Sequence, residues 1–220
     1  RVWLPFATHK GLAEQVEGWL GQVRARSRFG VLCPTQQGDA CALLDEMRLV
    51  KDAHEQDIMR RAAQISAQAH VRAMQRSARM IRNGEEVREY HLDAELLHEF
   101  RQHGSQYVAY GSIVAAGANA CVLHYQADKA PVRAGELVLI DAGCELDGYA
   151  SDITRTFPAD GKFSGAQRAL YELVLASQEA AIAVTRAGKR FNDPHDATVA
   201  VLAQGMLDLG LLDRTKYGTA

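Results

Sequence analysis

Asp141 and Asp152 stand on either side of an Asp147-Gly148 pair, in a stretch that runs from Glu136 to Phe157. Asp-Gly favours a two-residue type I′ hairpin turn. With these two at the tip, Leu146 faces Tyr149, Asp141 lies opposite Thr154, and Asp152 lies opposite Gly143. Opposed residues and residues two apart share a face, so the two carboxylates become diagonal neighbours with Cα atoms ~7–8 Å apart. Both can then reach one pair of divalent ions ~3.5–4 Å apart. Oxygen donors of this kind suit a hard or borderline cation such as Mn²⁺. Gly143 is expected to leave room beside Asp152. The same residues admit a plainer role, in which Asp141 caps a strand and Asp152 pairs with Arg155 or a neighbouring Lys. Spacing alone leaves both open.

Other residues could do chemistry but have simpler readings. Glu95 and His98 have the E-x-x-H spacing of di-iron bundles, yet with Glu99 and His103 they form one polar helix face, expected to be solvated. The helical residues His54, His70 and His91 are read the same way. Cys144 falls on the face opposite Asp141 by strand parity and is assigned to packing. Gly111, Gly117 and Asn119 make no phosphate-binding pattern. His124 follows an apolar Val122-Leu123 pair, a position that a semi-buried structural His commonly fills.

The elements that must position these residues are marked by capping and periodicity. A helix is expected over Gly11–Arg28 and a short strand over Gly30–Cys33. Asp52 and Glu55 have capping-box spacing, with Ile58, Ala62, Ile65, Ala69 and Ala73 behind them on one helical face that ends near Asn83-Gly84. A second helix is expected from Glu85 to His103, with Tyr90, Ala94, Leu97 and Phe100 inward. From Tyr107 to Pro158 the pattern is that of strands. Ser164 with Gln167 opens another helix, and Asp193-Pro194 a fourth. This order gives an α+β fold, with helices packed on an antiparallel sheet.

The 220 residues carry 25 Lys and Arg against 27 Asp and Glu, a net charge of −2. This near-neutral balance gives no reason to expect a nucleic-acid partner. No apolar run approaches the ~18 residues that span a bilayer, so no membrane partner is expected either. Four cysteines without metal-site spacing point to reduced thiols, and with no signal-peptide pattern the expected compartment is the cytoplasm. Neither Arg1-Val2-Trp3-Leu4 nor Lys216-Tyr217-Gly218-Thr219-Ala220 resembles a natural terminus, so an internal piece of a longer chain is expected.

Leu139-Ile140-Asp141-Ala142-Gly143 with Gly148-Tyr149-Ala150-Ser151-Asp152-Ile153-Thr154-Arg155-Thr156-Phe157 resembles the first metal motif of the aminopeptidase P, prolidase and creatinase family. Glu46 to Lys51 resembles the segment that opens that family's catalytic domain. Tyr110-Gly111-Ser112-Ile113-Val114, Gly117, Asn119 and Leu123-His124-Tyr125 resemble its pocket segment, and Gly161-Lys162-Phe163 with Gln167-Arg168 the turn and helix beyond.

The resemblance implies the first half of a pita-bread fold over 46–220, preceded in 1–45 by the tail of an amino-terminal domain. It implies two divalent metal ions, Mn²⁺ by preference, with Asp141 chelating one and Asp152 bridging both. The remaining His and two Glu ligands would lie in a second half outside this chain. His124 becomes the catalytic candidate and Tyr110 a substrate-binding one. The activity implied is release of an N-terminal residue preceding proline from a peptide, by a homo-oligomeric enzyme. Prolidase action and a non-enzymatic binding module on the same fold are the alternatives. The 220-residue chain by itself is expected to be inactive.

Overall fold

The computed structural model describes residues 1–217; Gly218–Ala220, part of the expected cut end, lie outside the described residues. The chain divides into two compact units, Arg1–Arg60 and Arg61–Ala220.

In the first unit, β1 (Val2–Leu4) pairs in parallel with β2 (Gln37–Asp39), and α1 (Leu12–Ala25) lies between them in the chain. Gly38 is required there: a Cβ would stand 2.4 Å from the Trp3 ring. The expected strand at Gly30–Cys33 does not form, and β2 takes the pairing instead. Asp39 caps α2 (Ala40–Leu49) by accepting from the Cys41 amide at 3.0 Å. It accepts from the Phe6 amide as well, and these backbone bonds hold its carboxyl below the usual range. The helix α3 (Ala53–Arg82) begins with the reciprocal Asp52–Glu55 bonds that the sequence implies, at 2.7 and 2.9 Å.

In the second unit, α3 presents a stripe of small residues, Ala62, Ser66, Ala69, Ala73 and Ser77, all fully buried. Small side chains let the helix approach the strands closely enough for direct polar contacts. Ser77 donates to the Ala159 carbonyl at 2.7 Å, and the Cys144 thiol to the Ala62 carbonyl at 3.4 Å.

After α4 (Glu89–Gln102) come β3 (Tyr107–Val108), β4 (Ile113–Ala116), β5 (Leu137–Ala142), β6 (Cys144–Leu146), β7 (Tyr149–Ala150) and β8 (Ile153–Pro158). They form two antiparallel three-stranded sheets, β4-β5-β8 and β3-β6-β7. The pair α5 (Gly165–Val184) and α6 (Asp193–Asp208) packs together, with a short α7 (Arg214–Tyr217) beyond. Ser164 and Gln167 cap α5 reciprocally, at 2.9 and 3.3 Å. At α6 the cap is one residue earlier than the sequence suggests, at Asn192.

The second helix differs from expectation in extent and in phase. It starts at Glu89, and its buried face is Glu89, Leu92, Leu96 and Phe100, while Tyr90, Ala94 and Leu97 are exposed. A buried carboxylate belongs to the stripe, and an apolar-only reading rotates the face away from it. The polar side is not simply solvated either. Glu95 meets Arg72 at 2.5 Å and Arg76 at 3.4 Å, so it is an ion-paired seam with α3. His70 departs from its solvated reading too: it is buried, with Nδ1 2.8 Å from the Ser66 carbonyl.

Candidate metal centre

The hairpin register is as the Asp147-Gly148 turn dictates. Leu146 pairs with Tyr149 and Asp141 with Thr154. Asp147 (φ 50°) and Gly148 (φ 84°) both take the left-handed conformations that a type I′ turn requires.

Between the two sheets the hairpin pinches at Gly143 and Ser151. A Cβ on Gly143 would stand 1.7 Å from the Ser151 carbonyl oxygen. The glycine therefore admits the opposite backbone, a stricter demand than room for the Asp152 side chain.

β5 alternates: Val138, Ile140 and Ala142 are buried, whereas Leu137, Leu139 and Asp141 lie on a half-open face. Leu137-Val138-Leu139-Ile140 is an unbroken apolar run, the pattern of a strand buried on both faces, yet among the described residues only one face is fully covered. The open face also carries Thr154 and Thr156. A groove of about 710 Å³ opens beside it, lined there by Leu137, Thr154 and Thr156 and on α5 by Leu170, Tyr171 and Val174.

The carboxylates of Asp141 and Asp152 converge. The Tyr110 hydroxyl lies 2.5 Å from Asp141 Oδ1 and 2.8 Å from Asp152 Oδ1. Tyr110 is held there by the bend after β3, where the Ala109 amide donates to the Gly143 carbonyl at 2.9 Å. Burial first, then the bonds to the two carboxylates, raises its phenol far above the ordinary tyrosine range, so it remains a donor.

One phenolic proton satisfies one carboxylate at a time. The second contact then sets oxygen lone pairs against each other, an arrangement that a cation between the carboxylates relieves. Two converging hard oxygen donors fit a divalent ion. Among the described residues no group of three or more His, Cys, Asp or Glu could hold a metal, so an ion at this pair would need further ligands. Arg155, the partner of the plainer reading, instead donates to the Thr154 carbonyl at 2.7 Å.

His124 is exposed, and its backbone is left-handed at φ 52°. That conformation is uncommon outside glycine and persists where neighbours over-determine it. Among the described residues its ring makes no hydrogen bond or ion pair. The structure thus brings Asp141, Asp152 and Tyr110 into direct contact, and among the described residues the His124 ring is bonded to none of the three.

Two sets of residues at this site escape a sequence reading. Ser66 and Ser151 bond across the hairpin base at 2.7 Å, and Glu89 anchors the segment on either side of His124. For Glu89 a signal existed: it is in phase with Leu92, Leu96 and Phe100.

A conserved-domain model for metallopeptidase family M24 matches residues 57–219. The chain belongs to this family. It is 43% identical over 197 residues to an Xaa-Pro aminopeptidase of Escherichia coli, and 46% identical over 170 residues to one of Haemophilus influenzae. These matches cover 90% and 77% of this chain, but only 43% and 38% of the relatives.

Among solved structures, the aminopeptidase PepP of Pseudomonas aeruginosa superposes with a TM-score of 0.90 at 46% identity, over 97% of this chain and 47% of that one. An Escherichia coli aminopeptidase P variant in complex with substrate superposes with a TM-score of 0.87 at 39% identity, over 96% and 47%. The fold is accordingly part of the pita-bread fold, and the chain spans less than half the length of the relatives it matches. No helix among the described residues is long and apolar enough to cross a membrane.

Proposed function

We propose that the protein to which this chain belongs is a metal-dependent aminopeptidase that releases an N-terminal residue preceding proline. The observation that carries the reading is the convergence of Asp141 and Asp152 on the Tyr110 hydroxyl. That relatives 43–46% identical are Xaa-Pro aminopeptidases supports the substrate class. In this reading residues 1–45 are the tail of an amino-terminal domain and 46–220 the first half of the catalytic fold. Further metal ligands come from sequence outside the described residues. A cytoplasmic homo-oligomer is the expected form of the enzyme.

Asp141 and Asp152 would hold the metal pair, with Mn²⁺ the preferred ion. Bound divalent ions supply a water made nucleophilic near neutral pH and polarise the scissile carbonyl. Tyr110 orients the two carboxylates through its hydroxyl. His124 is the group that hydrogen-bonds the substrate as charge develops on it. The groove that reaches Thr154, the strand partner of Asp141, offers apolar walls from Leu170, Tyr171 and Val174 to a peptide.

The test is hydrolysis by the full-length, Mn²⁺-loaded protein of an Xaa-Pro-Xaa tripeptide, the matching Xaa-Ala-Xaa tripeptide and an Xaa-Pro dipeptide. Turnover of the first alone is expected. Cleavage of the dipeptide alone would make it a prolidase, and no turnover with metal bound would leave a binding module. Asp152→Asn should lower metal affinity by at least about 10²-fold, since even residues behind a ligand are worth 10–100-fold.

A further inference from the structure

Glu89 is a carboxylate at 0% exposure in the first turn of α4. A buried carboxylate is costly unless its oxygens are satisfied. Here both are satisfied twice. Oε1 accepts from the Ala116 amide and the Asn119 side-chain amide, each at 2.9 Å. Oε2 accepts from the Tyr125 hydroxyl at 2.8 Å and the Asp128 amide at 3.2 Å.

All four donors come from residues 116–128, two before His124 and two after it. The protons of the network are consistent throughout. Asn119 gives one amide proton to Glu89 and donates the other to the Tyr125 oxygen at 2.9 Å, which leaves the Tyr125 proton for Glu89. Burial, and then the Glu89 carboxylate, raises the Tyr125 phenol, so it stays a donor. The far end of the loop is tied to the same helix start, because the Glu89 amide donates to the Ala130 carbonyl at 3.1 Å.

The loop therefore closes on one carboxylate, with His124 between the two tethered flanks in its left-handed conformation. Few side chains could replace it. A glutamine of the same size would turn an NH₂ donor toward two of the four donors.

We infer that Glu89 is a positioning residue: through the four bonds to residues 116–128 it holds His124 where the reaction at Asp141 and Asp152 needs it. This rests on the functional reading above. A misplacement of ~1 Å in such a group costs up to about 10²-fold in rate.

The experiment is a double-mutant cycle in the full-length, Mn²⁺-loaded protein on an Xaa-Pro-Xaa peptide. Glu89→Gln should lower kcat by about 10- to 100-fold, with metal content unchanged. In a His124→Ala background it should have no further effect, because the residue through which it acts is gone. Tyr125→Phe removes one of the four bonds and should show a smaller loss that also vanishes in that background. If Glu89→Gln does not fold, this second pair decides the question.

Losses that multiply in the double variants, or a Glu89→Gln enzyme with wild-type kcat, would overturn the inference while leaving the peptidase reading intact. A wild-type protein that cleaves no Xaa-Pro peptide would overturn both.

Discussion

Ser66 and Ser151, 85 residues apart in the chain, meet hydroxyl to hydroxyl at 2.7 Å. Their protons form one consistent set. The Ser66 hydroxyl donates to Ser151, Ser151 donates to the Cys144 carbonyl at 3.0 Å, and the Cys144 amide is shared between the two hydroxyls at 3.0 and 3.1 Å. This cluster ties α3 to the base of the hairpin, one residue before Asp152. Ser66→Ala should lower stability by about 1–2 kcal/mol, the cost of leaving buried polar partners incomplete. Urea unfolding followed by far-UV circular dichroism measures this. A change within error would show that the cluster does not hold the hairpin.

Gly143→Ala should be far more damaging. The new methyl would meet the Ser151 carbonyl at 1.7 Å, and backbone cannot swing aside as a side chain can. Overpacking costs about 1–3 kcal/mol in ordinary cores, and this case belongs at or above the top of that range. The same unfolding experiment applies, with Gly165→Ala, where a Cβ meets nothing within 4 Å and the backbone is not left-handed, as a comparison that isolates steric conflict from loss of glycine flexibility.

Tyr110→Phe removes the donor shared by Asp141 and Asp152 without changing side-chain volume much. Without metal, the variant should be about 1–2 kcal/mol less stable, since the carboxylates lose their common partner. Saturating Mn²⁺ should narrow that deficit, because in the wild type the Tyr110 hydroxyl competes with the ion for the same carboxylate oxygens, so the variant gains more from binding. Thermal melts of the full-length protein with and without Mn²⁺ test this. A deficit that widens on adding metal would mean that the hydroxyl is needed for metal binding.

Asp39 links pH to the first unit. Its carboxyl is held below the ordinary value, chiefly by the Cys41 amide and then by Phe6. A lowered folded-state pKa stabilises above the unfolded-state value near 4 and loses that contribution as pH falls through the folded-state value. Asp39→Asn should therefore flatten the acid limb of stability below about pH 4. A pH series of melts on wild type and variant would show parallel curves if Asp39 contributed nothing.

The hairpin and the shared face of its two carboxylates were legible in the residues because they depend on local rules. Asp147-Gly148 sets a turn, the turn sets the register, and period-two alternation puts Asp141 and Asp152 on one face. Capping pairs at Asp52/Glu55 and Ser164/Gln167 marked helix starts for the same reason, each being a bond between residues three apart. Long-range packing was not legible. That α4 turns a carboxylate inward depends on donors at residues 116–128, and that Gly143 is required depends on the path of Ser151. Tyr110, 31 residues before Asp141, reaches both carboxylates only because β3 and β6 pair beside them. Local sequence determined which groups could do the chemistry; tertiary structure alone decided their partners, since hydrogen bonds across such separations exist only once the helices and sheets have packed.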